Sequence, residues 1–360
     1  MNVWLAADIP QDSCGGVGKS MKELAAGLRR KGHRITILTR GELPARNYCV
    51  FALKLCMRYI LSLFDPPDWI CARSTDAVFC AIVIKLFRLK TGVILHNHGW
   101  EEFVYAVERK LPRKVVTNPT TWKSHVFRFP LLRLTLKLSD FCISVSEHEM
   151  QSLGKRYPSM KYKLAYIPNG VTSVPDEVVF TTETRPLHFL CIGNVTWKKG
   201  IAHSLKVFSL VRNSVPEAEL TCIGTGVDDT ELCYCTGSTL EGVTNLPSVP
   251  FDRMHEWYTA CPYMLASSRY EGRSLAILEA LSHGIIVFVS AIPSNREIVT
   301  DGENGFLITG ADASYDAVKI IQKISRGSLA TVRKKAVKTA RQNSWDHQIE
   351  RLENLLCRKR

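Results

Sequence analysis

The residues best suited to chemistry lie in the stretch Arg269-Tyr270-Glu271-Gly272-Arg273-Ser274-Leu275-Ala276-Ile277-Leu278-Glu279. A strand is expected before it and a helix from about Ser274, so Glu271 falls in the turn ahead of the helix and Glu279 within it. A helix start leaves backbone amides unbonded and points the positive end of its dipole outward, which suits a phosphate. Glu279 is flanked by Leu278, Ala280 and Leu281, a setting where an unpaired carboxylate is costly and a ribose diol would be a fitting partner. A second turn, Gly193-Asn194-Val195-Thr196-Trp197-Lys198-Lys199-Gly200, also joins an expected strand to an expected helix. A lysine there could offset the charge of a leaving diphosphate, although lysines ahead of helices are also common surface residues.

Two further sites stand in the first half. His96-Asn97-His98-Gly99 closes an expected strand, where a histidine can reach a sugar hydroxyl or a developing charge. Two histidines also raise the question of a metal, but no acidic ligand accompanies them at a matching spacing, so no metal site is expected. A structural role for His96 stays open. Gly15-Gly16-Val17-Gly18-Lys19 lies between the first strand and the first helix, where glycines let the backbone approach an anion or an acceptor. This loop has neither the Gly-x-Gly-x-x-Gly spacing nor a full Walker A motif, and a structural turn explains it equally well.

Such side chains need a frame that delivers several turns to one edge, and the chain alternates short β-rich runs with helical patterns, as parallel α/β sheets require. Strands are expected near Val3–Ala7, Arg34–Thr39, Trp69–Ala72, Val93–His96, Phe141–Val145 and Leu164–Ile167, with Gly18–Lys31 and Glu147–Tyr157 the clearest helices. Ser173 to Pro186 reads as a linker. A second series follows at Leu187–Ile192, Glu219–Ile223, Tyr263–Ala266 and Ile286–Val289. The length of 360 residues suits two domains, expected at 1–175 and 186–343, with a terminal helix at 344–360. Ligands bind beyond the carboxyl ends of parallel strands, so two such sheets are expected to face one another across a central cleft.

The segment from Glu271 to Glu279 resembles the Glu-x7-Glu motif of retaining glycosyltransferases of family 4. The opening loop through Arg34–Thr39 is similar to that family's first βαβ unit, Ser139–Glu147 with Ile167–Val171 to its inter-domain approach, and Asp301–Gly305 to the turn closing its donor site. Ser344-Trp345 and the following helix resemble the terminal segment that crosses back to the first domain. The resemblance implies the α/β GT-B fold, with two Rossmann-like domains, an acceptor side first and a nucleotide-sugar side second. It further implies that Gly16 approaches the donor phosphate or the acceptor, with Gly15, Gly18 and Lys19 on the acceptor side, and that His98 contacts the transferred sugar. Lys199 would bind the diphosphate, Glu271 the sugar hydroxyls, Leu275 the phosphate through its amide beside Ser274, and Glu279 the ribose. One position departs from the family, which has arginine where this chain has Asn194; a neutral amide cannot balance phosphate charge, and Lys198 or Arg273 is expected to compensate. A solvated surface position for Arg273 is the alternative.

Composition narrows the remaining classes. Apolar residues make up 46% and charged residues 22%, as in ordinary folded proteins. The formal charge is +13, and residues 1–180 carry 26 Lys/Arg against 15 Asp/Glu. No nucleic-acid-binding signature accompanies that excess, so nucleic acid is not an expected partner, whereas an anionic membrane surface or a phosphate-bearing acceptor would account for it. Trp122–Leu138 mixes basic and apolar residues and reads either as a membrane-surface segment or as a core helix with a basic edge. No signal peptide or membrane span is expected, and the twelve cysteines fit buried thiols of a cytoplasmic protein, free or peripheral on the inner face of a membrane. The expectation is a metal-independent retaining transferase, without cofactor, moving sugar from a nucleotide-sugar donor to a lipid-linked or polysaccharide-type acceptor in cell-surface glycan synthesis. A scaffold that lost turnover, suggested by Asn194, and a nucleotide-sugar epimerase are the alternatives.

Overall fold

The computed structural model describes residues 1–11, 15–111, 124–175, 187–325 and 329–358. They fall into two compact units. The first takes the described residues within 1–108, 119–170 and 345–360, and the second those within 109–118 and 171–344.

The sheet of the first unit contains β1 (Asn2–Ala6), β2 (Arg34–Leu38), β3 (Trp69–Arg73), β4 (Gly92–Asn97), β5 (Phe141–Ser144) and β6 (Leu164–Tyr166). All its pairings are parallel, in the order β2-β1-β3-β4-β5-β6. Between the strands run α1 (Gly16–Arg30), α2 (Tyr48–Leu61), α3 (Val78–Leu86), α4 (Glu101–Glu108), α5 (Phe129–Leu138) and α6 (Glu147–Arg156). Helices on both faces bury the central strands, and every residue of β4 is buried, which explains its continuous apolar run.

The second sheet holds β7 (His188–Ile192), β8 (Glu219–Ile223), β9 (Val243–Leu246), β10 (Tyr263–Ala266), β11 (Ile286–Ser290) and β12 (Phe306–Ile308), again parallel, in the order β12-β11-β10-β7-β8-β9. Around it lie α7 (Ile201–Ser214), α8 (Asp229–Thr236), α9 (Met254–Ala260), α10 (Leu275–Ser282), α11 (Pro293–Arg296), α12 (Ala313–Ser325) and α13 (Ala330–Gln342). The two strands not expected from sequence, β9 and β12, are the sheet's edges and only 4 and 3 residues long. Runs that short carry little periodic signal.

The last helix, α14 (Trp345–Leu356), belongs to the first unit, where it lies against α1. The contact is close: a Cβ on Gly27 of α1 would lie 1.9 Å from Ile349 Cδ1. Lys31 and His33 both reach Glu353, at 2.5 and 3.0 Å, and the Trp69 indole donates to the Leu356 carbonyl at 3.1 Å. The expected linker lies mostly outside the described residues.

The described part of Trp122–Leu138 is a turn followed by a helix. A π-turn at Ser124–Arg128 leads into α5, which buries Phe129, Leu132 and Leu136. Arg128 pairs with Glu101 at 2.6 Å and Arg133 with Glu102 at 2.6 Å. The apolar face of α5 and these two arginines are therefore used within the fold, as in the core-helix reading, whereas Val126 and Phe127 of the preceding turn are 54% and 55% exposed.

Candidate active site

In the second unit the chain begins at β7, builds outward through β8 and β9, then returns to the other side of β7 with β10. The point where winding reverses opens a crevice at the carboxyl ends of these two strands. The turns that follow them are the ones that carry Lys199 and Glu271. The Arg269 amide donates to the Lys198 carbonyl at 2.7 Å, which ties one turn to the other through backbone. Lys199 Nζ then donates to Glu271 Oε1 at 2.6 Å, and Ser268 Oγ donates to the same oxygen at 3.0 Å. Gly200 makes this approach possible. It caps α7 with φ of 63°, and a Cβ there would stand 2.0 Å from the Ser267 carbonyl oxygen.

From Glu271 the chain passes Gly272, Arg273 and Ser274 into α10, with Leu275 its first residue. The Ser274 side chain makes no cap hydrogen bond. Glu279 lies four residues further, about 6 Å along the axis at 1.5 Å per residue. Tyr258 of α9 donates its hydroxyl to Glu279 Oε2 at 2.6 Å, and the Tyr258 ring stacks on His283 with centroids 5.1 Å apart. Burial, followed by the adjacent Glu279 charge, holds the phenol well above its usual pKa, so Tyr258 is a donor throughout the working range. Sequence reasoning missed Tyr258 and Ser268, since neither belongs to a spacing pattern.

The two candidates to compensate for Asn194 differ. The Arg273 side chain is only 2% exposed; it donates to Asn343 Oδ1 at 2.6 Å and lies 3.6 Å from Glu297. This is neither a solvated surface position nor a charge available to a phosphate as placed, because its partners lie within the fold. Lys198 is exposed, with its ammonium 6.0 Å from the Trp197 ring centroid. Asn194 is exposed too and accepts from Thr196 Oγ1 at 3.1 Å.

In the first unit the winding reverses between β1 and β3. After β1 comes the helix start of α1, with Gly15 as N-cap, Gly15 and Gly16 exposed, Gly18 buried and the Lys19 amide bonded to the Gly15 carbonyl at 3.2 Å. No acidic residue stands in that first turn. The same edge holds a charged cluster that the sequence did not mark: Arg40 pairs with Asp8 at 2.6 Å, and the Asp8 amide donates to buried Asp76 at 2.8 Å. Burial pushes the Asp76 carboxyl up to about 7.

His98 follows β4 and packs against His96 with ring centroids 4.3 Å apart and ring planes tilted by 34°. Burial, the His96 ring and Arg73 hold His98 well below the usual histidine range, and burial brings His96 down to about 4, so both rings are neutral near pH 7. Glu149 fixes the loop that carries His98. Its carboxylate accepts from Asn97 Nδ2 at 2.7 Å and from the Trp100 amide. Glu149 is itself held at the start of α6, where its amide donates to the Ser146 cap at 3.3 Å. The Ser146-x-x-Glu149 capping pattern was the available sequence signal. Among the described residues no group of three or more His, Cys, Asp and Glu side chains is arranged to hold a metal.

Comparison with known proteins agrees with the two-domain α/β fold. Residues 14–173 match the family Glycosyltransferase Family 4, and residues 186–326 match Glycosyl transferases group 1. Among curated proteins, the poly(glycerol-phosphate) alpha-glucosyltransferase of Bacillus subtilis is 29% identical over 169 residues, covering 44% of this chain and 23% of its own length. The chain spans between about a quarter and about half of the length of the first curated relatives it matches. Among solved structures, the sucrose-phosphate synthase of Thermosynechococcus elongatus superposes with a TM-score of 0.77 at 15% identity, over 99% of this chain and 98% of that one. Anabaena Alr3699/HepE in complex with UDP and glucose gives 0.70 at 15% identity over 99% of both. With two parallel six-stranded sheets, this chain has the two-domain α/β GT-B fold and carries a Glycosyltransferase Family 4 match followed by a Glycosyl transferases group 1 match.

Proposed function

We propose that this protein is a retaining, metal-independent glycosyltransferase that moves a sugar from a nucleoside diphosphate sugar to a lipid-linked or polysaccharide-type acceptor in cell-surface glycan synthesis. The observation that carries the proposal is the Lys199–Glu271 contact at the β7/β10 switch point, four residues ahead of the α10 start. A cation, a carboxylate and a set of unbonded helix amides are the three things a diphosphate with a sugar attached needs around it. The UDP and glucose bound by the HepE relative and the poly(glycerol-phosphate) named for the Bacillus relative support the donor and acceptor classes.

On this reading Lys199 and the Leu275 amide, beside Ser274, take the diphosphate, Glu271 takes sugar hydroxyls and Glu279 takes the ribose. His98 is assigned to the transferred sugar as a neutral hydrogen-bonding group, Gly16 to the donor phosphate or the acceptor, and Gly15, Gly18 and Lys19 to the acceptor side. The bond from the anomeric carbon to the leaving phosphate oxygen breaks. The acceptor oxygen bonds to that carbon on the same face, and its proton passes to the leaving phosphate. Lys199 stabilises the charge that builds up on the diphosphate.

A second reading rests on Asn194: a GT-B protein that binds nucleotide sugar without turning it over. One experiment separates the two. The protein is first screened by thermal shift against nucleotide sugars, then the bound donor is incubated with a panel of glycan and lipid-linked acceptors, with and without chelator. Chelator-resistant transfer with the donor's anomeric configuration kept supports the proposal. Donor binding with neither hydrolysis nor transfer over the whole panel supports the binding-only reading, and sugar isomerised without acceptor points to an epimerase.

A further inference from the structure

The second unit has a cleft that Lys199, Glu271 and Glu279 do not line. Its volume is about 500 Å³, and its walls come from α7, the end of α8, the turn after β10 and the loop that starts α12. The polar part of the lining is His203, Lys206, Thr236, Arg269 and Asp312, and alanines supply the rest. Small-molecule pockets ordinarily enclose about 300–1,000 Å³, so the space suits one compact ligand.

Charge sets what the cleft takes. His203 and Lys206 lie three residues apart on α7 and share a face of it. Lys206 is exposed and Arg269 half-buried, and among the described residues neither forms an ion pair. Burial holds the Arg269 guanidinium below its ordinary pKa, with no carboxylate to offset it. A partly desolvated cation without a counter-charge is unfavourable, and an anion in the cleft relieves it.

His203 is itself only 7% exposed, and its Nε2 donates to Asp316 Oδ2 at 2.9 Å. Asp316 is fully buried and also accepts from the Thr309 and Gly310 amides, at 2.7 and 3.0 Å, and from the Thr309 hydroxyl at 3.0 Å. Amid these donors the carboxylate accepts, so the ring proton sits on Nε2. The other ring nitrogen, Nδ1, has no partner among the described residues and is left to the cleft.

The remaining polar groups favour hydroxyls. Asp312 is the acidic residue of the lining; it accepts from the Tyr315 amide at 3.0 Å and keeps lone pairs for a further donor. Thr236 donates to the Leu232 carbonyl at 2.6 Å, which leaves its oxygen as an acceptor. The Ala311 and Asp312 amides both bond Thr309 Oγ1, at 3.1 and 3.0 Å, so the positive charge comes from side chains and not from the helix start. Among the described residues no aromatic side chain lines the cleft, and a nucleobase has nothing there to stack on.

We propose that this cleft is a second small-molecule site, which binds a phosphate monoester carrying free hydroxyls, as a sugar phosphate or glycerol phosphate does. Lys206 and Arg269 take the phosphate, and Asp312, Thr236 and His203 take hydroxyls. Binding here is independent of the transfer reaction, although Arg269 stands two residues ahead of Glu271 and its amide donates to the Lys198 carbonyl at 2.7 Å.

Titration calorimetry of the full chain tests this with glucose 6-phosphate, glycerol 3-phosphate, inorganic phosphate and glucose. At least one ester is expected to bind saturably and about tenfold more tightly than inorganic phosphate, with glucose not binding; the tighter ester identifies the source. Lys206→Gln and Arg269→Gln should each weaken ester binding by about tenfold or more, and Asp312→Asn should narrow the gap between ester and phosphate. Because Lys206 is exposed, Lys206→Gln should melt as wild type does, which separates a lost site from lost folding. Saturating nucleoside diphosphate and Lys199→Met should leave ester affinity unchanged. A wild type that binds neither ester, or equal ester affinity in wild type and Lys206→Gln, overturns the proposal. So does displacement of the ester by nucleoside diphosphate, which would put it at the Lys199 turn instead.

Discussion

Replacing Lys199 with methionine tests the donor site most directly, because the ammonium has one well-defined carboxylate partner. Lys199 and Glu271 are 29% and 12% exposed and meet at 2.6 Å, so in the unliganded protein the pair contributes only about 1 kcal/mol to stability after screening. A diphosphate changes the balance. At about 4 Å and an effective permittivity near 20, the gross attraction is about 4 kcal/mol, and after desolvation a charge-assisted hydrogen bond retains about 1.5–3 kcal/mol. Lys199→Met should therefore raise the nucleoside diphosphate Kd by about 10- to 150-fold while lowering the melting temperature by only about 2–4 °C. Glu271→Gln should act in the opposite direction on this ligand. It frees the ammonium from its partner, so nucleoside diphosphate alone binds as well as or better than in wild type, while the nucleotide sugar, which needs the carboxylate for its hydroxyls, binds more weakly. In a Lys199→Met background the gain for nucleoside diphosphate should vanish. Titration calorimetry of the four proteins against both ligands gives the full cycle. Equal nucleoside diphosphate affinity in wild type and Lys199→Met would refute the assignment, as would a Glu271→Gln loss of the same size for both ligands.

Other expectations follow from neighbouring contacts. Glu279→Gln should raise the donor Kd by about tenfold, and Tyr258→Phe by a smaller factor, since the phenol only orients the carboxylate; equal affinity in wild type and Glu279→Gln would remove the ribose role. His98→Ala should leave donor Kd unchanged and lower kcat by about 100-fold, and because the ring is already neutral the pH profile of transfer should show no step from its titration. Asp76 has a carboxyl pKa of about 7 in the fold against 3.8 as its ordinary value, so it binds more protons folded than unfolded, and its contribution to stability falls as pH rises from about 4 to about 7. His96, at about 4 against 6.5, has the opposite slope, losing stability as pH falls through that window. Asp76→Asn should therefore leave only the acid-side loss, measurable as a melting temperature that rises with pH from about 4 to 6.5; an unchanged profile would count against a buried, protonated Asp76.

Sequence alone carried the parallel α/β class, because near-continuous apolar strands alternating with helices have few other ways to bury themselves. It also carried the positions of Lys199, Glu271 and Glu279, because turns that follow strands must emerge at one edge of a parallel sheet. The central strands were legible for the same reason, whereas β9 and β12 were not, since an edge strand of three or four residues leaves no pattern. What the linear chain could not contain was who meets whom. Tyr258 reaches Glu279 from 21 positions away, Glu149 fixes the His98 loop through Asn97 from 52 positions away, and Asp8 approaches Asp76 across 68. Trp122–Leu138 makes the same point from the surface. It is basic and apolar in sequence, and only the packing of α5 against the core separates its buried apolar residues from its uncovered ones. Periodicity records that a residue has an apolar neighbourhood available to it, while the sheet order decides whether protein or solvent fills that neighbourhood.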